Sequence, residues 1–193
     1  MVHISSTLLL AFAFVATAIS TPLKRTVAEI QADIADISAQ VTSLDQKITA
    51  FPATGGSLAA ALIDPFGKRT SQAIHSSSGT LVASLKKGTT DVTATGPVNE
   101  ADGGAILSSV NAFEPTIQHA LVGIVEKRPA FQALPIGGIP ALVLQDLKDL
   151  NTNTVAFSDA LITNAPDSLK GAATQLKDGI VAGFATAIAA YEA

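Results

Sequence analysis

The feature that most constrains the fold is an apolar seam near the start of the chain. Between residues 27 and 51 the apolar positions recur at alternating spacings of three and four, without interruption. They are Val27, Ile30, Ile34, Ile37, Val41, Leu44, Ile48 and Phe51. Such a seam predicts a helix that buries one narrow stripe against other helices. Thr26 and Glu29 have the spacing of a capping box, and Pro52 ends the segment.

Similar stripes recur along the rest of the chain. They predict further helices over about residues 66–87, 105–127, 141–163 and 166–191. A short helix or hairpin arm is predicted over 58–63, and polar or proline-punctuated loops over 89–104 and 129–140. Pro115 should kink or divide the third helix. Because no strand pattern competes, the predicted fold is all-α: a single up-and-down bundle of about five helices without disulfides.

Composition excludes several classes of protein. The 193 residues contain no cysteine, so a disulfide scaffold and thiolate metal sites are ruled out. Charged residues make up 15%, against roughly 25% in an average globular protein, and the formal net charge is −4. An acidic chain with scattered lysines lacks the basic footprint of a nucleic-acid binder. Hydrophobic residues reach 48%, which argues against disorder.

The pattern of the first 25 residues indicates targeting and processing signals. Residues 8–19 form a mainly apolar run that is too short to span a bilayer, and small residues follow it. Lys24 and Arg25 then form a dibasic pair. We expect a signal peptide over 1–20, a short propeptide over 21–25, and one domain over 26–193. The protein should therefore be secreted, and it has no predicted transmembrane segment or lipid-anchor signal.

Catalytic and metal sites are not indicated. His75 and His119 have no acidic partner at a spacing that implies one, and no Gly-x-Ser-x-Gly elbow occurs. Acidic pairs such as Asp146 and Asp149 are explained by solvated helix faces. We therefore predict no enzyme activity, no catalytic residues, no metal and no cofactor.

Two hydroxyls interrupt the apolar stripes. Ser78 lies in the second predicted helix and Thr154 in the fourth. A buried hydroxyl needs a partner, which is either the carbonyl four residues earlier in the same helix or a ligand. The second alternative would place a polar ligand group inside the bundle.

Four stretches carry a resemblance to a known family. They are the dibasic pair with TVAEIQADIADISAQVTSLDQKITAF, the turn GGSLAAAL, the segment LVGIVEKRPAFQAL, and the closing helix that ends AIAAY. In this order, and without cysteine, they resemble the fungal hydrophobic surface-binding protein A family, which includes lipid-binding domains of cell-wall galactomannoproteins. The resemblance covers about residues 26–191.

The resemblance implies a secreted, non-catalytic protein that binds fatty acids or other lipids, or adsorbs to hydrophobic solid surfaces. An alternative is a cell-wall structural or interaction protein that recruits a secreted polyester-degrading esterase. For a lipid held in a tunnel or a groove, the stripes supply the predicted wall. Its residues are Ile37, Val41, Leu44, Ser78, Leu81, Phe113, Ile117, Leu121, Thr154, Phe157, Leu161, Ile180 and Phe184.

The processing prediction can be tested directly. Because a kexin-type protease cleaves after a dibasic pair, protein collected from culture medium should begin at Thr26 on N-terminal sequencing. Replacing Lys24 and Arg25 together by alanine should leave the propeptide attached, whereas Lys24→Arg keeps the pair and should be processed normally. A wild-type N-terminus at Thr21 would contradict the prediction.

Overall fold

The computed structural model describes residues 26–52, 65–134 and 137–193, and these ranges form helices without any strand. The predicted signal peptide, propeptide and 58–63 element lie outside the described residues. The helices are α1 (Val27–Ala50), α2 (Pro65–Thr95), α3 (Glu100–Glu126), α4 (Arg128–Gln132), α5 (Ile139–Asn164) and α6 (Asp167–Glu192). No helix among these described residues is long and apolar enough to cross a membrane.

Helix α1 follows the predicted seam closely. The Thr26 hydroxyl accepts a hydrogen bond from the backbone N–H of Glu29 at 3.3 Å, and the Glu29 carboxylate accepts one from the backbone N–H of Thr26 at 2.7 Å. This reciprocal pair is the predicted capping box. The seam positions from Ile30 to Phe51 are buried, so one stripe of α1 faces the bundle interior.

Helix α2 is longer than predicted, and the predicted loop over 89–104 is mostly wrong. The helix continues to Thr95, where Gly96 ends it with φ 78°. The polar residues that looked like a loop are accommodated because threonine hydroxyls donate to carbonyls four residues earlier. Thr89 bonds Leu85 at 2.8 Å in this way, and Thr93 bonds Thr89 at 2.7 Å.

Helix α3 also begins earlier than predicted and is not divided by its proline. Asn99 caps it by accepting a hydrogen bond from the backbone N–H of Asp102 at 2.9 Å. Pro115 lies on the exposed face within the helix, so the carbonyl of Asn111 that loses its partner also lies on a solvent-exposed face. The predicted connector over 129–140 contains most of the one-turn helix α4 and the first residues of α5.

The five long helices form a closed ring. Helix α1 packs against α2 and α3, α2 packs against α5, α5 against α6, and α6 against α3. The predicted up-and-down bundle is therefore confirmed, and its helices close on themselves in the order α1, α2, α5, α6, α3.

Polar contacts between helices fix their directions. Lys47 near the end of α1 donates to Ser77 at 2.7 Å, and Ser84, further along α2, donates to Asp36, nearer the start of α1, at 2.9 Å, so these helices are antiparallel. Lys148 early in α5 pairs with Glu192 at the end of α6 at 2.7 Å, which makes that pair antiparallel too. We call the end where α1, α3 and α6 begin the upper end, and the end where they finish the lower end.

A ring of five cannot close as tightly around its axis as a ring of four. With neighbouring axes about 9 Å apart, each axis of a five-helix ring lies about 7.7 Å from the centre, against about 6.4 Å for four helices. Side chains must span this larger distance to fill the interior. Where they are small, as at Ala120 on α3, space is left along the axis.

Helix α4 lies across the lower end of the ring. Its Phe131 is almost fully buried and stacks on Phe51, with ring centroids 4.2 Å apart. The Lys127 ammonium donates to the backbone carbonyl of Phe51, and the Tyr191 hydroxyl donates to the carbonyl of Ile124 at 2.8 Å. These contacts attach the ends of α1, α3 and α6 to one another beneath the axial space.

Two adjacent glycines test how closely α3 approaches the turn between α5 and α6. A Cβ on Gly103 would lie 2.8 Å from the Pro166 ring, which cannot rotate away, whereas a Cβ on Gly104 would meet nothing within 4 Å. Gly103→Ala should therefore lower the free energy of unfolding by about 1–3 kcal/mol through overpacking. Gly104→Ala should raise it by up to about 1 kcal/mol through helix propensity. Urea denaturation measures both, and equal effects would contradict this packing.

Candidate functional site

The main cavity runs along the axis of the ring. All five long helices line it, and the centre of a water-sized sphere can move through about 90 Å³ of it. Its α3 wall extends from Val110 to Ile124, which is roughly 21 Å at the helical rise of 1.5 Å per residue. The space is therefore long and narrow, and its wall is almost entirely aliphatic and aromatic.

The structure brings all thirteen predicted wall residues to this one cavity. Three come from α1, two from α2, three from α3, three from α5 and two from α6. The predicted stripes therefore converge on the same space. That these side chains bind a ligand stays a prediction.

Sequence reasoning missed eleven further lining residues. They are Ile48, Ile74, Leu85, Val110, Ala120, Ile124, Val143, Asp146, Leu147, Leu150 and Ser158. Most of these were visible as stripe positions. Asp146 and Ser158 were not, because each is a polar residue immediately beside a stripe position in the sequence. Their spacing from Val143 and Thr154, three and four residues, places them on the same helix face, which is the signal that could have found them.

The hydroxyls on the cavity wall differ in their partners. Ser78 is buried and donates to the carbonyl of Ile74 at 3.1 Å, so its hydrogen bond is made within its own helix. Thr154 and Ser158 lie one turn apart on α5, and neither hydroxyl has a hydrogen-bond partner within the described parts of the chain. These two oxygens are available to a ligand, whereas that of Ser78 is already engaged.

A hydrogen-bonded pair of side chains joins the cavity wall to the surface between α2 and α5. The Nδ1 atom of His75 lies 2.9 Å from Oδ1 of Asp146, and the two side chains are 47% and 14% exposed. Burial raises the pKa of Asp146, and the hydrogen bond with His75 opposes that shift. Asp146 lines the cavity, so the wall contains one carboxyl group. Burial makes the charged form of this group less favourable than it is in water.

Both histidines have acidic partners that their spacing in sequence did not reveal. His119 lies 2.6 Å from Asp45 across the seam between α3 and α1, and its side chain is 64% exposed. Each imidazole therefore contacts a carboxylate on a neighbouring helix. The described residues also contain no group of three side chains able to hold a metal ion.

A second, smaller cavity lies at the upper end of the ring. The centre of a water-sized sphere can move through about 50 Å³ of it, and its walls come from all five long helices and the turns at that end. Four residues line both cavities: Val110, Ser158, Leu161 and Ile180. We call this shared wall the waist. The two cavities are therefore adjoining compartments on one axis.

A closed ring of helices around an axial apolar space defines a helical protein with an internal apolar chamber. The chain belongs to the family described as Hydrophobic surface binding protein A, whose family model matches residues 27–163. The resemblance seen in the sequence is thereby confirmed.

Two relatives are named cell wall mannoprotein 1. The protein from Aspergillus fumigatus is 29% identical over 159 residues, which cover 82% of this chain and 50% of the relative. The protein from Aspergillus flavus is 26% identical over 177 residues, which cover 91% of this chain and 58% of the relative. The chain therefore spans about half the length of these curated relatives.

Solved structures share the fold. The crystal structure of AFMP4P in complex with palmitic acid superposes with a TM-score of 0.75 at 26% identity, and the match covers 86% of this chain and 99% of that one. Ligand binding domain 2 of the Penicillium marneffei MP1 protein, complexed with multiple arachidonic acids, gives a TM-score of 0.70 at 22% identity and covers 88% and 97%. The predicted all-α fold is confirmed by both.

The burial of Asp146 predicts the direction in which the protein's stability changes with pH. Because its folded-state pKa is raised above 3.8, its contribution to stability is greatest below pH 3.8 and declines as the pH rises through the folded value. The difference in unfolding free energy between wild type and Asp146→Asn should therefore fall as the pH rises above 3.8. Urea denaturation at several pH values measures it.

Asp167 provides a control of opposite sign. Its hydrogen bond from Lys170 lowers the pKa of this exposed carboxyl below 3.8, so its contribution is lost as the pH falls. The difference between wild type and Asp167→Asn should rise with pH toward 3.8. The same trend in both variants would contradict the burial of Asp146.

Proposed function

We propose that this protein binds one long-chain fatty acid, or a similar single-chain lipid, in the main cavity without catalysing a reaction on it. The observation that carries the proposal is the axial cavity itself, long, narrow and lined by apolar side chains from all five helices. Such a space excludes bulky or polar ligands and suits an extended hydrocarbon chain.

The energetics of burial are sufficient for this role. Transfer of about fifteen methylenes from water contributes roughly 12 kcal/mol in gross terms at about 0.8 kcal/mol each. The loss of ligand freedom removes at least about 4 kcal/mol. A remainder near 8 kcal/mol corresponds to roughly micromolar affinity. Hydrocarbon burial alone can therefore hold the ligand, and polar contacts serve to orient it.

The Thr154 and Ser158 hydroxyls are the polar groups we assign to that orientation. They lie on the cavity wall, and their hydrogen-bonding capacity is not used within the described residues. A ligand carboxylate or hydroxyl near α5 would satisfy them. The palmitic acid complex of AFMP4P, a structure 26% identical to this chain, supports a fatty acid as the ligand class.

The distribution of apolar side chains favours an internal site over an external one. Among the residues whose exposure the structure describes, the exposed large apolar side chains are Val122 and Leu142, on different helices. Two isolated side chains do not make the contiguous apolar patch that docking on a solid or on an esterase requires. Adsorption to hydrophobic surfaces, which the family description supports, would need the ring to open and present its interior.

We also propose that the domain over 26–193 acts outside the cell. The signal-peptide and dibasic patterns support secretion, and the cell wall mannoprotein relatives support a location at or beyond the wall.

Filling the cavity tests the proposal. Ala120 on α3 faces the cavity and is 8% exposed, whereas Ala112, two turns earlier on the same helix, is exposed. Ala120→Phe should weaken palmitate binding by roughly tenfold or more, because the ring displaces at least two methylenes of the ligand. It should leave the thermal unfolding midpoint unchanged or raised, since it fills a void.

Ala112→Phe is the matched control and should bind palmitate as wild type does. Isothermal titration with palmitate, together with native mass spectrometry, measures affinity and stoichiometry. Palmitate binding unaffected by Ala120→Phe would place the ligand elsewhere, and no uptake by the wild-type protein would refute the proposal.

A further inference from the structure

The two axial cavities meet at the waist, and the lining changes there from mainly apolar to partly polar. Below the waist, the main cavity is apolar except for its hydroxyls and Asp146. At the waist, Ser158 contributes to both cavities. Above it, the smaller cavity is lined by Lys177 on α6 and Asn164 at the end of α5, besides apolar side chains. Apart from Ser78 on α2, the polar side chains of the axial space therefore lie along α5 and α6.

Lys177 is the one basic side chain among the described residues that line either cavity. Its ammonium lies 3.0 Å from the Asp159 carboxylate, across the α5–α6 seam, and the two side chains are 24% and 55% exposed. Asp159 is the neighbour of Ser158 in the chain, so the ion pair lies at the level of the waist. An ion pair with an exposed carboxylate is held weakly, because water screens both charges.

We propose that Lys177 is the anchor for the carboxylate of a long-chain acid whose hydrocarbon tail lies in the main cavity. This inference rests on the proposed function and adds the position and charge of the ligand's head group. The ammonium turns from Asp159 toward the waist, where Ser158, and Thr154 one turn below it, offer hydroxyls to the same carboxylate. The ligand then lies with its head toward the upper end and its tail toward the Phe51 and Phe131 rings.

Charge placement supports this direction of binding. Asp146 is the acidic side chain on the main cavity's wall, between α2 and α5 toward the lower end. A carboxylate held beside it would meet a like charge in a poorly solvated place, which is unfavourable. Lys177 lies toward the other end of the axis. A carboxylate is thus attracted at the waist and repelled near the lower end, so one orientation is selected.

The test uses two ligands and four single substitutions on the mature protein. Palmitate carries the charge and methyl palmitate does not, while both carry the same tail. Lys177→Gln should lower the affinity for palmitate by roughly tenfold, the size expected for a lost hydrogen bond to a charged group, and should leave methyl palmitate unchanged. Lys177→Arg keeps the charge and should retain the preference for the acid.

Asp159→Asn distinguishes an anchor from a structural ion pair. It breaks the same ion pair as Lys177→Gln but frees the ammonium, so it should raise palmitate affinity by up to about fivefold. If the pair only joined α5 to α6, both substitutions would weaken both ligands together. Lys170→Gln is the control, because Lys170 lies on the same helix and pairs with Asp167 at 2.7 Å. Thermal unfolding confirms that each variant is folded.

Opposite shifts for Lys177→Gln and Asp159→Asn, confined to the acid, are the expected result. Equal losses for acid and ester, or no effect of Lys177→Gln, would overturn the anchor while leaving tail binding in the cavity intact. Failure of the wild-type protein to bind either palmitate or methyl palmitate would instead refute the proposed function, and the anchor with it.

Discussion

The rest of the structure depends on the closure of five helices around one axis. Each long helix contacts two neighbours, so its buried stripe must serve both seams and also face the centre. A stripe three to four residues wide per two turns can cover the seams but cannot fill the wider centre of a five-membered ring. The axial space is therefore a geometric consequence of helix number and side-chain size. It does not require a local defect in packing.

Much of this arrangement could be predicted from the sequence because the information is local and periodic. The alternating spacing of three and four residues in α1 identifies its buried face, and the weaker stripes of the other helices do the same. All thirteen predicted wall residues consequently line one cavity. The periodicity of a helix states which side is buried, and in a closed ring every buried side faces the same axis.

The remainder could not be predicted because it depends on contacts between distant parts of the chain. The sequence predicts that α2 ends at about residue 87, yet Gly88 lies within the helix, where its missing side chain leaves room for the ring of Phe157 on α5. The partners of His75 and His119 lie 71 and 74 residues away in the chain. The order of helices around the ring decides these contacts, and nothing in the stripe of a single helix specifies that order.

The aromatic stack beneath the axial space has a consequence for where the two ends of a bound hydrocarbon chain would lie along the axis. Phe51 and Phe131 are nearly unexposed and stack on each other where the ends of α1, α3 and α6 are joined, so the bundle is tightly packed beneath the cavity. If the tail end of a hydrocarbon reaches this lower end, a longer chain can extend only toward the upper end. Each added carbon then moves the far terminus of the molecule upward by one bond projection. When the tail is stopped at the lower end, the length of the hydrocarbon therefore sets how far up the axis its other end lies.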